Sequence, residues 1–290
     1  DFLPQIKSGP KIDVKSLNFA LIHIFRGLLK KIILSDFLAQ FADLAFDNSN
    51  NVPSYAILIG IYAFTFQIYF DFSGYSDIAI GSARLLGYKI PINFNRPYAA
   101  KSVTEFWRRW HISLSLWLKD YLYIPLGGNR VSHKYKVYKN LMITMLLGGL
   151  WHGAAWNFVI WGGFQGLALS IEKALKTKIK FKKFIKIILV FHFTVFSWII
   201  FRSDGVSSII DIFNNLYNYP INIELNNKTI IAIVIIILGF SNQLIDEKYN
   251  LQEKFLKLPI YIKTFFYAII FLVCIIFNSE EIKPFIYFQF

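Results

Sequence analysis

Two histidines lie in apolar surroundings, and they are the side chains of this sequence best suited to move protons. His152 lies within GGLWHGAAW (148–156), and His111 lies within FWRRWHISLSLWLKDYLY (106–123). Burial disfavours a charged imidazole, so a deep histidine stays neutral and can accept a proton, as a general base must. The alternative is a packed histidine bonded to a backbone carbonyl. We favour the functional role for His152, and the structural role for His111 when that residue is considered alone.

The composition places both histidines in a membrane protein. Of 290 residues, 55% are hydrophobic and 17% are charged, whereas soluble domains are about 25% charged. The formal charge of +13 fits basic loops held against anionic lipid better than it fits nucleic acid. We therefore predict an all-α, polytopic membrane protein that contacts lipid and no nucleic acid. Four apolar stretches approach the ~20 residues that cross hydrocarbon as a helix: 55–70, 184–201, 229–244 and 264–279.

The distribution of lysines predicts which loops face the cytoplasm. Segment 173–186 carries seven lysines, whereas loop 204–228 carries one. Positive charge is retained on the cytoplasmic side, so we expect 173–186 to lie inside and 204–228 outside. The chain is accordingly predicted to be a multi-pass protein of the cell membrane, the inner or cytoplasmic membrane.

The same rule predicts that His152 lies deep in the membrane. Basic residues lie on both sides of it, in 129–139 and in 173–186, so the chain between them must enter the membrane and return. A helical leg from Leu141 to Trp151 covers about 16 Å, roughly half the hydrocarbon thickness. We therefore expect a hairpin turn or a broken, re-entrant helix at His152, where neighbouring glycines permit close backbone approach.

The stretch around His111 is predicted to be a helix at the membrane surface. Its tryptophans and arginines are residue types found at the headgroup level. On one continuous amphipathic helix over 106–123, His111 shares the apolar face with Trp107 and Leu114, while the arginines point elsewhere.

A third stretch, 66–87, combines carboxylates with small residues. We expect a helix that begins near Gly74, with Asp71 or Ser73 as its N-cap and Asp77 in its first turn. The alternative is that these polar side chains line a cavity. Capping and cavity lining remain open at this point.

Several common functions are excluded by the motifs that the sequence lacks. It contains no nucleophile elbow, Walker loop or HExxH motif. His23, His133 and His192 are scattered without metal-ligand spacing, and the single cysteine, Cys274, excludes an internal disulfide. We therefore predict no metal and no bound cofactor.

Six segments of the sequence form a recognisable set: FLPQIKSGP, FQIYFDFSGYSDIAIG, NFNRPY, FWRRWHISLSLWLKDYLYIPLGGNR, GGLWHGAAWNFVIWGGFQG and PFIYFQF. Taken together, they resemble the membrane-bound O-acyltransferase family. The branch is the bacterial one that includes alginate O-acetyltransferase membrane subunits, peptidoglycan O-acetyltransferases and the teichoic-acid D-alanyl transfer protein. We expect the resemblance to extend from residue 2 to residue 290.

The resemblance implies a fold and a site. The fold is a single all-helical domain over 1–290, with helices around a central funnel and without the N-terminal spans of full-length members. The family's catalytic histidine falls on His152, and its second hallmark polar residue falls on His111. Further candidate substrate-binding or cavity-lining residues are Trp110, Ser113, Asp120, Asp71, Tyr75 and Trp151.

The implied chemistry is acyl transfer, with O-acetylation as the expected activity. His152 would act as general base on an acceptor hydroxyl or a carrier nucleophile, and His111 would orient the substrate or stabilise the oxyanion. An acyl-histidine intermediate is the other route. By analogy the donor is acetyl-CoA or another acyl thioester from the cytoplasm. The acceptor is an outward-facing polysaccharide or an extracytoplasmic partner acetyltransferase. The alternatives are a transporter or channel that uses His152 as a proton relay, and a lipid-binding scaffold.

Overall fold

The computed structural model describes residues 3–11, 13–47, 52–175, 181–218, 225–277 and 285. These residues form helices and connecting turns, with no β-strand among them. The α-helices are α1 (Leu3–Ser8), α2 (Val14–Leu28), α3 (Asp36–Asp47), α4 (Ser54–Leu85), α5 (Val103–Trp107), α6 (Ile112–Leu118), α7 (Lys134–His152), α8 (Trp156–Leu175), α9 (Lys183–Arg202), α10 (Val206–Asn218), α11 (Asn227–Tyr249), α12 (Leu251–Leu256) and α13 (Ile260–Ile276).

The apolar stretches of the sequence coincide with helices. Within the described ranges, α4, α9 and α11 are long and apolar enough to cross a membrane, and α13 is a shorter apolar helix. The all-helical class and the helical nature of the predicted spans are therefore confirmed, except that residues 278 and 279 lie outside the described residues. The central funnel and the placement of loops on either side of a membrane stay predictions.

Helix α4 forms the centre of the fold. It packs against α2, α3, α9, α10 and α11, and most of its side chains are buried, including Phe64, Phe66 and Ile68 at 0% exposure. A helix that is apolar all round belongs in the interior of a bundle. These five helices therefore surround α4, while α7 packs against α8 and α8 packs against α9.

The prediction that a helix begins near Gly74 is wrong, because α4 is continuous from Ser54 to Leu85. Gly74 lies in its interior at the crossing with α2, where a Cβ atom would lie 2.9 Å from the carbonyl oxygen of Gly27. The glycine thus permits close contact between two helices, as small residues do in membrane bundles. Asp71 and Ser73 are interior residues and cap nothing.

The carboxylates of α4 pair instead with basic side chains of the preceding segment. Arg26 of α2 makes two contacts with Asp77, at 2.5 and 2.9 Å, and Lys30 donates to Asp77 at 2.8 Å. Lys31 forms an ion pair with Asp71. Both lysines lie on a π-helical segment, Leu29–Ser35, which joins α2 to α3. Buried charges require such partners, so this group of ion pairs fixes α2 against α4.

Candidate functional site

His152 is the last residue of α7, directly before a break in the helical chain. Helix α7 ends at His152, and α8 begins at Trp156 after three non-helical residues. The predicted break at this position is confirmed, while its depth in a membrane stays a prediction. Gly153 accommodates the turn, because a Cβ atom there would lie 2.7 Å from the ring of Phe158.

Glycines also bring the two helices of this hairpin into contact. A Cβ atom on Gly149 of α7 would lie 3.2 Å from the Cα atom of Gly162 of α8, and 3.1 Å from the carbonyl carbon of Phe158. Backbone therefore packs on backbone at this crossing, which aligns the end of α7 with the side chains of α8.

Aromatic rings surround the His152 imidazole. Its centroid lies 5.1 Å from Phe201, 5.4 Å from Trp161 and 5.1 Å from Trp151, all in edge-to-face arrangements. Phe158 lies at 6.2 Å. Each well-formed aromatic pair contributes about 0.5–1.5 kcal/mol, so the ring is held on several sides while the residue stays partly exposed.

His111 lies at a second break, and the prediction of one continuous helix over 106–123 is wrong. Helix α5 ends at Trp107, and α6 begins at Ile112. Between them the chain leaves helical geometry because its backbone pairs with a neighbouring loop: the Asn95 N–H donates to the Arg109 carbonyl at 2.9 Å. A π-helical turn, Lys119–Tyr123, then follows α6.

The two helix breaks place both histidines against the same side chain, that of Trp151. The ring centroid of Trp151 lies 6.1 Å from that of His111 and 5.1 Å from that of His152. The distance between the ring centroids of His111 and His152 is therefore no greater than the sum of these two distances. Gly148 contributes to this approach, because it leaves Leu118 of α6 within 3.1 Å of where a Cβ atom would be.

Hydrogen bonds at His111 assign the proton on its ring. The His111 side chain caps α6, with Nδ1 accepting from the Leu114 N–H at 3.4 Å. A backbone N–H can only donate, so Nδ1 presents its lone pair and Nε2 carries the proton. Burial lowers the pKa of the His111 imidazole to about 4, so the ring is neutral at neutral pH. His111 is thus suited to donate a hydrogen bond from Nε2.

Arg109 secures the chain before His111. Its guanidinium donates to Glu247 of α11 at 2.8 and 3.0 Å and to Glu105 at 2.6 Å. The hydrogen bonds that this guanidinium donates to Glu247 raise its pKa, so its charge is maintained. A bidentate arginine–carboxylate pair is rigid as well as strong, and this one ties the segment before His111 to α11.

The other predicted site residues lie in different environments. Trp151 contacts both histidines, and Ser113 lies 3.4 Å from His111 Nδ1. Tyr75 is 50% exposed and stacks on Phe285 at 4.7 Å. Trp110, at 1% exposure, belongs to the aromatic core, Asp71 is held in an ion pair, and Asp120 is exposed beside Lys119. The structure therefore brings Trp151 and Ser113 to the histidine pair.

Some residues of the site were not predicted. Phe72 contacts the His111 ring edge-to-face at 4.6 Å, and Phe285 contacts Phe72 at 5.3 Å. Around His152, the rings of Trp161 and Phe201 were likewise missed. In a hydrophobic sequence, an apolar residue of the site cannot be distinguished from an apolar residue of the core. Trp161 lies in α8, the helix that follows the glycine-marked break at His152.

The described part of the chain is helical, with three helices able to cross a membrane and a histidine pair at two helix breaks. The family model described as "MBOAT, membrane-bound O-acyltransferase family" matches residues 1–208, and the chain belongs to this family. The matched residues include both histidines. The predicted resemblance to this family is thereby confirmed, while its extension to residue 290 stays a prediction, because the matched residues end at 208. The transporter or channel alternative receives no support.

Similar proteins include enzymes named for O-acetylation. The chain is 50% identical over 186 residues to a probable alginate O-acetylase AlgI of Azotobacter vinelandii, covering 63% of this chain and 37% of that protein. It is 41% identical over 223 residues to a peptidoglycan O-acetyltransferase of Helicobacter pylori, covering 74% of this chain and 42% of that protein. A teichoic acid D-alanyltransferase of Streptococcus thermophilus is 34% identical over 171 residues, covering 56% and 39%. The alignments thus cover less than half of the length of each of these relatives.

Proposed function

We propose that this chain carries the catalytic site of a membrane O-acetyltransferase. The observation that supports the proposal is the placement of His111 and His152 against one tryptophan, at two separate helix breaks, in a chain of the O-acyltransferase family. The acetyl group is favoured because the relatives at 50% and 41% identity are named for O-acetylation.

The proposed reaction transfers an acyl group from a thioester to a hydroxyl. His152 removes the proton from the acceptor hydroxyl while the hydroxyl oxygen attacks the thioester carbonyl. The Nε2–H of His111 donates to the oxyanion that forms on the carbonyl oxygen. The carbon–sulfur bond then breaks, and the proton held by His152 passes to the departing thiolate, so the products are an ester and a free thiol.

The direction of transfer follows from the predicted topology. The donor, acetyl-CoA or a related acyl thioester, approaches from the lysine-rich cytoplasmic face of the cell membrane. The acceptor is a polysaccharide of the cell envelope, reached directly or through an extracytoplasmic partner acetyltransferase. His152 lies between the two approaches in this proposal, and no resident cofactor or metal takes part.

Histidine replacements in the full-length protein test the proposal. A general base contributes about 10²–10⁴-fold and an oxyanion donor about 10²–10³-fold, so His152→Ala should abolish O-acetylation and His111→Ala should leave about one per cent or less. His133→Ala is the matched control, because His133 is exposed at the start of α7. Acetate released by mild base from the purified envelope polymer measures the activity.

Two results would contradict the scheme. Similar, mild losses in all three variants would show that His152 and His111 are structural residues. The second is an acyl adduct on His152, recovered by mass spectrometry after the enzyme is mixed with thioester alone. It would show that the reaction passes through an acyl-histidine intermediate and not through general-base catalysis.

A further inference from the structure

The backbone of His111 is strained. It has φ 43° and ψ 56°, in the left-handed region, which residues with a Cβ atom rarely adopt because Cβ approaches the following carbonyl oxygen. Such conformations persist only where surrounding contacts hold them, and they concentrate at functional sites. The contacts that hold His111 therefore identify the residues on which its position depends.

The loop at Asn93–Asn95 pairs with the chain on both sides of His111. The Ile112 N–H donates to the Asn93 carbonyl oxygen at 3.0 Å, and the Asn95 N–H donates to the Arg109 carbonyl oxygen at 2.9 Å. These two backbone bonds bracket the left-handed residue. They leave the chain between α5 and α6 little freedom to relax into a helix.

The side chain of Asn93 adds two more hydrogen bonds. Its Oδ1 accepts from the Ser113 N–H at 3.1 Å and from the Ser113 hydroxyl at 3.0 Å. The backbone N–H of Ser113 can only donate, so the Asn93 atom that faces it is the carbonyl oxygen. Asn93 thereby satisfies one of the donors that the first turn of α6 leaves unpaired.

This arrangement also controls the surroundings of the imidazole. The Ser113 oxygen lies 3.4 Å from His111 Nδ1, and its only proton is directed to Asn93. The Nδ1 lone pair is then left for the Leu114 N–H, and the ring proton resides on Nε2.

We propose that Asn93 is a positioning residue for acyl transfer, which holds His111 through Ile112 and Ser113 so that the imidazole donates from Nε2. The inference rests on the proposed function, because it is the oxyanion role of His111 that requires this tautomer. Ser113, predicted as a substrate-binding residue, becomes part of the support of His111.

Three single replacements in the full-length protein test this role. Asn93→Leu keeps the size of the side chain and removes Oδ1, so kcat should fall about 10- to 100-fold through misplacement of His111, with an unchanged KM for the thioester. Asn93→Asp keeps an acceptor for both Ser113 groups and should restore kcat to within about threefold of wild type. Asn95→Leu is the control, because the Asn95 side chain is exposed and its backbone hydrogen bond survives.

The tautomer of His111 gives a readout that a merely structural role would not move. In nitrogen-15 spectra of histidine-labelled protein in lipid bilayers, the wild type should show His111 with a bare Nδ1 and a protonated Nε2. Asn93→Leu should show a mixture of tautomers. The signal is assigned by its loss in His111→Gln.

The outcomes separate this inference from the proposed function. Wild-type kcat in Asn93→Leu, an unchanged tautomer in that variant, or an equal loss in Asn93→Asp would each overturn the positioning role. Full activity in His111→Gln would overturn the proposed function itself. Should Asn93→Leu fail to fold, Ser113→Ala removes one of the bonds to Asn93 and should lower kcat about two- to tenfold, the effect of one hydrogen bond; wild-type kcat there would also overturn the proposal.

Discussion

Replacing Gly162 with alanine adds one methyl group where α7 and α8 touch. The new Cβ atom would lie 3.1 Å from the Cα atom of Leu146 and closer still to the carbonyl oxygen of Met145, whereas ordinary contacts lie at 3.4–4 Å. Both neighbours are backbone atoms, which cannot rotate away, so the helices must separate. Overpacking of this kind costs about 1–3 kcal/mol, against a gain of about 0.5–1 kcal/mol from replacing glycine in a helix.

The next residue provides a matched control. A Cβ atom on Gly163 would meet only the Cδ2 atom of Leu146, at 3.5 Å, an ordinary contact. Gly163→Ala should therefore leave the free energy of unfolding unchanged or raise it slightly. For Gly162→Ala the midpoints of the two ranges leave a net loss of about 1–1.5 kcal/mol. We therefore expect Tm to fall by about 2–6 °C, since 1 kcal/mol corresponds to about 2–4 °C in a chain of this size.

Thermal unfolding of the full-length protein in detergent, followed by tryptophan fluorescence, measures the difference. Gly162→Ala should also lower the proposed O-acetylation, because α7 ends at His152 and the shift moves that imidazole away from the rings of α8. Equal Tm values for Gly162→Ala and Gly163→Ala would refute the close-packed crossing.

Two further predictions concern the ion pairs and the topology. Asp77→Ala leaves two basic side chains without their buried carboxylate and should destabilise the protein by about 3–5 kcal/mol. Asp120→Ala, at an exposed site, should leave Tm unchanged. If Tm stayed at the wild-type value in both variants, the buried ion pairs would contribute nothing to stability. On a Cys274→Ala background, an impermeant thiol reagent should label Tyr217→Cys in intact cells and should not label Lys183→Cys, and the reverse pattern would invert the topology.

The apolar helices and the helix break after His152 could be predicted from hydropathy and from the positions of glycine. Long apolar stretches became α4, α9 and α11 because a run of that length and composition has no other stable form in a membrane bundle. The break after His152 was marked by the glycine-rich sequence around it. Both signals are local, so each is visible without knowing what packs nearby.

The wrong predictions came from contacts between distant segments. The helix over 106–123 is broken because Asn93 and Asn95 supply hydrogen-bond partners to the chain around His111, and no local signal gives that pairing. Similarly, Gly74 and Asp71 looked like the start of a helix, but one packs against α2 and the other pairs with Lys31. Tertiary partners outweighed local preference in both places.

The helices that hold His111 are too short to exist alone, which has a consequence for the order of assembly. Helix α5 has 5 residues and α6 has 7, while an isolated helix needs about 12–15 residues to be even marginally stable in water. The start of α5 is held by Glu172 of α8, whose carboxylate accepts from the Val103 N–H at 2.5 Å. The histidine pair can therefore form only after α8 has been synthesised and docked, so a nascent chain that has not reached this stage carries no assembled histidine pair.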